Sequence, residues 1–180
     1  VMEALERNHL AENTLLIATS DNGAEHRAYA PLRESKRSIY EGGHRVPFMV
    51  RWPGVVKPGA RCDQLVMQAD FMATFAEVLG AKLPPTAGED SVSLLSLLRG
   101  EDKAIRQHAI SHASSGLPSL RQGQWKILFG PAGGGFAAAA AAKAEPNAPR
   151  VQLYDLATDL GETKNLAAAK PELVAELTAV

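Results

Sequence analysis

The chain has 180 residues, of which 46% are hydrophobic and 22% charged, and its formal net charge is -1. This composition excludes a disordered tail, a collagen and a coiled coil, and the balanced charge leaves no global basic field for nucleic acid. The single cysteine, Cys62, excludes an internal disulfide framework and a cysteine-rich zinc site. No stretch reaches the roughly 18 consecutive apolar residues of a membrane span.

The first part of the chain follows the order of helix, buried strand and polar loop that is typical of an α/β sheet. Residues 1–11 have amphipathic helical spacing, and the run 15–19 is apolar on both faces. Such a run predicts a central strand of a parallel sheet that is covered on both sides. A polar, irregular segment then covers residues 20–45, and a second strand is predicted over 46–52.

Two helices are predicted in the middle of the chain, over residues 70–79 and 93–99. Asp70 is expected to be the N-cap of the first helix, and Gly80 is expected to end it. Its apolar spacing predicts one buried stripe, formed by Met72, Phe75, Ala76 and Leu79.

Beyond about residue 105 the pattern changes to short strands followed by a terminal helix from Pro171, which predicts a small antiparallel α+β subdomain. Gly123 predicts a hairpin between two of the strands. The low-complexity segment 130–150 is expected to be an exposed loop, because its six consecutive alanines are too few to hold a helix in water. We therefore expect two domains, residues 1–104 and 105–180. The strand candidates are 109–112, 117–121, 125–129 and 152–156.

The triplet Asp21-Asn22-Gly23, at the end of the predicted buried strand, is the first candidate functional motif. Alone it is typical of a turn, but ligand-binding groups collect at the carboxyl ends of strands in α/β sheets. A carboxylate beside a carboxamide oxygen suits a hard cation such as calcium, which takes about 6–8 oxygen ligands. Asp21 and Asn22 are therefore candidate metal ligands, and the remaining ligands must come from elsewhere.

A basic stretch over residues 26–51 is the second candidate. Its six Lys and Arg minus its two Glu give +4 in a chain whose net charge is -1. Most of these charges fit a solvated loop, whereas a lysine beside a divalent cation would hold a tetrahedral oxyanion, either sulfate or phosphate. The cations are Arg27, Arg33, Lys36, Arg37, Arg45 and Arg51.

Several ordered segments match one known pattern, namely 13–23, 31–36, 40–47, 51–54, 88–100, and 120–128 and 153–156 with Glu162 and Asn165. Together they resemble the formylglycine-dependent sulfatases of the alkaline phosphatase superfold, in which 13–23 is similar to the late strand and metal motif, and 31–36 and 40–47 to the region around the family lysine. The resemblance covers nearly the whole chain and implies the C-terminal portion of such an enzyme, with the later part of its α/β sheet domain followed by a small antiparallel α+β subdomain.

The resemblance implies hydrolysis of sulfate esters with a calcium ion and a formylglycine nucleophile made from a cysteine or serine. By matching motifs, Asp21 and Asn22 would be calcium ligands, and Lys36 would contact the sulfate and help neutralise the leaving oxygen. His26 and Arg27 lie between the two motifs, and we hypothesise that they reach the substrate. The substrate would be a sulfated small molecule or glycan, and the family is mostly periplasmic, extracellular or lysosomal, so we expect a periplasmic or extracellular protein.

Two features depart from the family pattern. The nucleophile motif Cys/Ser-x-Pro-x-Arg is absent, because Cys62 is followed by Gln64 and Val66 where proline and arginine are needed. Glu34 stands where the family often has glycine in Leu-Arg-Gly-x-Lys, which adds a carboxylate near the anion site. We therefore expect the chain to be inactive alone, as a fragment whose first strands expose edges and apolar faces.

Two other functions fit the same residues. A phosphoester or phosphonate hydrolase of the same superfold would hold its tetrahedral anion with a similar set of metal and lysine. A non-catalytic relic could instead bind sulfated glycans through the basic stretch.

Overall fold

A computed structural model of the chain describes residues 1–25, 27–135 and 149–180. Contacts divide it into two compact units, the first made of Val1–Thr19 and Pro47–Gln107, the second of Ser20–Val46 and His108–Val180. No helix among the described residues is both long and apolar enough to cross a membrane. The helices are α1 (Met2–Arg7), α2 (Glu41–His44), α3 (Asp70–Val78), α4 (Leu95–Leu98) and α5 (Pro171–Thr178), and the strands are β1 (Leu16–Thr19), β2 (Phe48–Arg51), β3 (His108–His112), β4 (Pro118–Gln122), β5 (Trp125–Leu128) and β6 (Gln152–Asp155).

The first unit contains a two-stranded sheet in which β1 pairs antiparallel with β2. Both predicted strands are therefore confirmed. Within the described residues the partner of β1 is the antiparallel β2, so the parallel neighbour predicted for β1 is not among them. An apolar run indicates that both faces of a strand are to be covered, which is typical of parallel sheets but does not exclude an antiparallel neighbour.

Helix α3 forms where it is predicted, but the predicted buried stripe is wrong. Met72, Phe75 and Leu79 are 47%, 42% and 79% exposed, whereas Asp70 and Thr74 are buried. Asp70 lies inside the helix and is not its N-cap. Its carboxylate accepts hydrogen bonds from the backbone N–H groups of Met67 and Val92 and forms a buried ion pair with Arg106. The buried residues of this helix are thus two polar ones, Asp70 and Thr74.

The second unit contains a four-stranded antiparallel sheet in the order β3-β4-β5-β6. This confirms the antiparallel α+β prediction for the C-terminal part of the chain. The predicted hairpin joins β4 to β5, and Gly123 at its turn has φ +56°, a left-handed conformation that glycine adopts without a steric penalty.

The two faces of this sheet pack against different partners. Leu120, Ile127 and Leu153 are paired across neighbouring strands and pack with Leu177 of α5. The opposite face carries Leu128 and Tyr154, which form a second cluster with Ile39 and Tyr40. The segment 20–46 is therefore held on the sheet by a hydrophobic core and belongs structurally with residues 108–180.

The predicted division between domains at residues 104 and 105 lies near the passage between the units, which follows Gln107. The grouping of 20–46 with the C-terminal strands was not anticipated, because sequence order places that segment beside β1. The assignment of 1–104 and 105–180 as domains stays a prediction.

Residues 136–148 of the predicted loop 130–150 lie outside the described residues. At the beginning of that segment the expected exposure is wrong, because Gly130 and Gly133 are buried. The backbone N–H of Ile39 donates to the carbonyl of Gly133 at 2.7 Å, and a Cβ on Gly133 would overlap the ring of Tyr40.

Replacing Ile127, which is 0% exposed in β5, with alanine should lower the free energy of unfolding by about 2–5 kcal/mol, because a cavity is left in a packed core. Urea unfolding followed by tryptophan fluorescence measures this. Ile110→Ala, at a β3 position that is 48% exposed, is the matched control and should change the same quantity by less than about 1 kcal/mol. Equal losses for the two variants would contradict the packing described above.

Candidate functional site

The triplet Asp21-Asn22-Gly23 immediately follows β1 and lies against the segment that contains Lys36. The backbone N–H of Gly23 donates to the carbonyl of Gly43 at 2.9 Å, and the backbone N–H of Lys36 donates to the carbonyl of Ala24 at 2.8 Å. We refer to residues 20–25 and 33–45 as the site loops. The Asp21-Asn22-Gly23 turn and the lysine segment therefore lie next to each other.

Glycines make this close approach possible. A Cβ on Gly23 would overlap the carbonyl oxygen of Gly42, and a Cβ on Gly42 would overlap the carbonyl oxygens of Arg33 and Glu34. The backbones of the site loops are therefore in direct contact, with no space for side chains between them.

The candidate metal ligands are accessible. Asp21 is exposed, and Asn22 is half-buried. The Ser20 hydroxyl donates to the Asn22 carbonyl at 3.0 Å, which holds the turn, and lies 3.5 Å from a carboxylate oxygen of Asp21. In the part of the chain that the structure describes, no group of three or more His, Cys, Asp or Glu could hold a metal ion. The oxygen donors of Asp21 and Asn22 thus fit calcium chemically and form an incomplete ligand set.

Lys36 is half-buried, and its Nζ lies 3.5 Å from the carboxylate of Glu25. Arg27 is exposed. His26, the other predicted substrate-binding residue, lies outside the described residues. Asp21, Asn22 and Lys36 therefore belong to one group of loops, and Glu25 is a partner of Lys36 that sequence reasoning missed.

The basic stretch does not form one anion-binding surface, because several of its cations are bound within the protein. The Arg33 guanidinium stacks 3.8 Å from the centre of the Tyr40 ring and donates to the Tyr154 hydroxyl and the Glu162 carbonyl. Arg45 donates to the Glu41 carboxylate at 2.5 Å. In the first unit, Arg51 donates to a carbonyl and pairs with Glu12.

Three buried charges lie beneath the site loops. The Nζ of Lys126 is 2.9 Å from a carboxylate oxygen of Glu41 and 2.9 Å from one of Glu162, and all three side chains are at most 2% exposed. The sequence analysis did not identify this cluster as part of the site. Its one signal in the sequence is a lysine inside the otherwise apolar strand Trp125–Leu128.

The surroundings of these groups set their protonation. Burial opposes ionisation of Glu41, but a hydrogen bond from His44 and the charge of Lys126 outweigh it and hold the pKa of Glu41 far below its usual range. Burial is also the largest influence on His44, and it lowers the pKa of that ring although Glu41 opposes this. Burial raises the pKa of Glu162, although Lys126 opposes this.

Glu34 has φ +58°, in the left-handed region. Glycine is the residue that occupies such a conformation without strain, which explains why a glycine suits this position in the Leu-Arg-Gly-x-Lys pattern. The departure at Glu34 is therefore a backbone feature as well as an added charge.

The sequence matches the sulfatase family model over residues 1–81. It is 34% identical to the N-acetylgalactosamine-6-O-sulfatase of Bacteroides thetaiotaomicron over 99% of this chain and 37% of that protein. It is 33% identical to human arylsulfatase A over 98% of this chain and 39% of that protein. The chain thus spans less than two fifths of the length of these relatives.

Solved structures also superpose on this chain. A Bacteroides thetaiotaomicron structure described under the metabolism of multiple glycosaminoglycans superposes with a TM-score of 0.82 at 32% identity, over 99% of this chain and 40% of that one. The structure of Ps i-CgsB in complex with k-i-k-neocarrahexaose superposes with a TM-score of 0.77 at 26% identity, over 98% and 37% of the two chains. The α/β fold is that of sulfatases with the alkaline phosphatase-like architecture.

Glu34→Gly should stabilise the protein by about 1 kcal/mol, because it removes the steric penalty of a left-handed non-glycine residue. The control is Glu89→Gly at an exposed loop position whose φ is not positive, where the added backbone freedom of the unfolded chain should lower stability by about 0.4–1 kcal/mol. Thermal unfolding of both variants measures the difference, and a loss of stability in Glu34→Gly would contradict the strain argument.

Gly23→Ala should disrupt the site loops, because its Cβ would overlap the backbone of Gly42. Gly59→Ala is the control, since a Cβ there meets nothing within 4 Å and only its φ of +73° is unfavourable. We expect the control to lose roughly 1–2 kcal/mol of unfolding free energy and Gly23→Ala to lose clearly more. Amide hydrogen exchange of residues 33–43 should increase in Gly23→Ala alone.

Proposed function

Because this chain belongs to the sulfatase family, we propose that it forms part of an enzyme that hydrolyses sulfate esters. The observation that carries the proposal is the backbone hydrogen bond from Lys36 to Ala24, which brings the lysine segment against the Asp21-Asn22-Gly23 turn. In this proposal residues 1–104 are part of the catalytic α/β domain, and residues 105–180 form its C-terminal subdomain.

Asp21 and Asn22 would supply two of the oxygen ligands of a calcium ion. When bound, the ion would withdraw electron density from the sulfate oxygens. The nucleophile, a formylglycine in this family, would come from outside these 180 residues, because no Cys/Ser-x-Pro-x-Arg sequence occurs in the chain. Cys62 is an exposed free thiol and does not meet that pattern.

Lys36 would act on the substrate directly. In hydrolysis the S–O ester bond breaks and the leaving oxygen takes up a proton, so an ammonium group that donates a hydrogen bond there lowers the barrier. The pair of Lys36 with Glu25 does not prevent this. With side chains 35% and 42% exposed, it is worth at most about 1 kcal/mol, and a sulfate can replace the carboxylate at little cost.

For the substrate we propose a sulfated glycan or a smaller sulfate ester, which Arg27 and His26 would contact beyond the sulfate group. Names of relatives support this class, among them the N-acetylgalactosamine-6-O-sulfatase and an ulvan-active sulfatase of Formosa agariphila, which is 30% identical over 88% of this chain and 34% of its own length. We also propose a periplasmic or extracellular location, in keeping with the family.

Lys36→Ala and Asp21→Ala, made in the complete protein, should each lower kcat/KM for a sulfate ester such as 4-nitrophenyl sulfate by about 100-fold or more, since each removes a charged group that acts on the sulfate. Lys57→Ala, an exposed lysine of the first unit, is the control and should leave the rate unchanged.

The same assay separates the alternative functions. Faster turnover of 4-nitrophenyl phosphate than of the sulfate would favour a phosphoester hydrolase, and the phenylphosphonate ester tests a phosphonate hydrolase. Binding of a sulfated oligosaccharide without turnover of any ester would favour the glycan-binding relic.

A chelator should abolish sulfate ester hydrolysis, and added calcium should restore it. Activity that is insensitive to both Lys36→Ala and the chelator would contradict the proposal.

A further inference from the structure

We propose that Lys126 and Glu162 are positioning residues that set the geometry of the site loops, and through them of Asp21, Asn22 and Lys36. The inference rests on the proposed function in so far as it concerns metal binding and turnover. It adds two residues from the C-terminal strands and turn, 90 or more positions beyond Lys36 in the sequence.

Lys126 has a fixed position. It lies in β5, an inner strand with β4 on one side and β6 on the other, where it is paired with Arg121 and Tyr154. Its side chain is 1% exposed, and its ammonium group contacts two carboxylates. A lysine held in this way by backbone pairing and by two ion pairs has little freedom to move.

The beginning of helix α2 is held by Lys126 and Glu162. Glu41, the first residue of α2, receives the Lys126 ammonium on one carboxylate oxygen. Its backbone N–H donates to the Glu162 carboxylate at 2.6 Å. Glu162 also accepts from Arg33 through its carbonyl at 2.7 Å, so it contacts both ends of the turn between residues 33 and 41.

The next two residues of α2, Gly42 and Gly43, connect Glu41 to the Asp21-Asn22-Gly23 turn. The Gly42 N–H donates to the Arg33 carbonyl at 2.9 Å, and the Gly43 carbonyl accepts from the Gly23 N–H at 2.9 Å. Since a Cβ at Gly23 or Gly42 would already overlap the backbone opposite, α2 cannot shift without moving the Asp21-Asn22-Gly23 turn. The path from the sheet to the candidate ligands therefore consists of direct contacts.

Removing the cation has a predictable effect. In Lys126→Met the Glu41 and Glu162 carboxyl groups remain buried without their shared positive partner, so they repel each other or one of them takes up a proton. Either change weakens the contacts of the first residue of α2. The site loops should then lose their fixed geometry, beyond any loss of global stability.

The test compares Lys126→Met with Arg106→Met in the complete protein. Arg106 is also a buried cation beside a carboxylate, that of Asp70, but it belongs to the first unit. Three measurements are made on the folded variants: amide hydrogen exchange of residues 20–25 and 33–45, the calcium dissociation constant by calorimetry, and kcat and KM for a sulfate ester. Glu162→Gln serves as a second variant, because its amide oxygen can still accept from the Glu41 N–H.

We expect Lys126→Met to raise exchange in the site loops and the calcium dissociation constant by about 10-fold or more, with partial recovery of kcat at excess calcium. Glu162→Gln should show the same changes to a smaller extent. Arg106→Met should lower only the unfolding temperature.

Other results are equally decisive. If Lys126→Met and Glu162→Gln change only the unfolding temperature, as Arg106→Met does, the positioning role is wrong and the cluster is a stability element. If the unaltered protein neither binds calcium nor hydrolyses sulfate esters, the proposed function is wrong. The exchange measurement then still decides whether Lys126 and Glu162 position the loops.

Discussion

The geometry of the second unit depends on one buried lysine between two buried glutamates. Taking an ammonium group out of water is costly, and Lys126 meets that cost by contacting Glu41 and Glu162 at once. This requires the strand, the start of α2 and the turn at Glu162 to meet in a dry interior. The hydrophobic cluster around Tyr40 and Tyr154 lies on the same face of the sheet, because Lys126 is paired with Tyr154 across β5 and β6.

In the site loops the backbone provides the support, and the side chains are available for the chemistry. Their backbones are buried and in contact at the glycines, whereas Asp21 and Lys36 reach toward solvent. A carboxylate that binds a metal and an ammonium group that binds an anion must be accessible. Their positions must also be fixed. Close packing of backbone against backbone satisfies both needs, because it fixes the Cα positions and leaves the side chains free to bind.

Most of the local structure could be predicted from the sequence, and the failures have physical reasons. The hairpin at Gly123 and the helix from Pro171 were predicted correctly, because turn and first-turn positions are decided by backbone geometry. The stripe predicted on α3 was wrong, and the burial of Asp70 was not anticipated because amphipathic spacing does not reveal its ion pair with Arg106. At the candidate site, motif order indicated that Asp21, Asn22 and Lys36 belong together. Lys126 was missed, since its partners are distant in sequence and its strand alone explains nothing about them.

The sequence separations in the buried cluster have a consequence for synthesis. Glu41 lies 85 residues before Lys126 and 121 residues before Glu162. A ribosome adds about 5–20 residues per second, so the Glu41 segment waits on the order of 4–17 s for its lysine. During that interval the Glu41 segment of the nascent chain lacks the lysine that it contacts in the folded protein. The contacts that hold the loops nearest the proposed chemistry can therefore be completed only after residue 162 has been added.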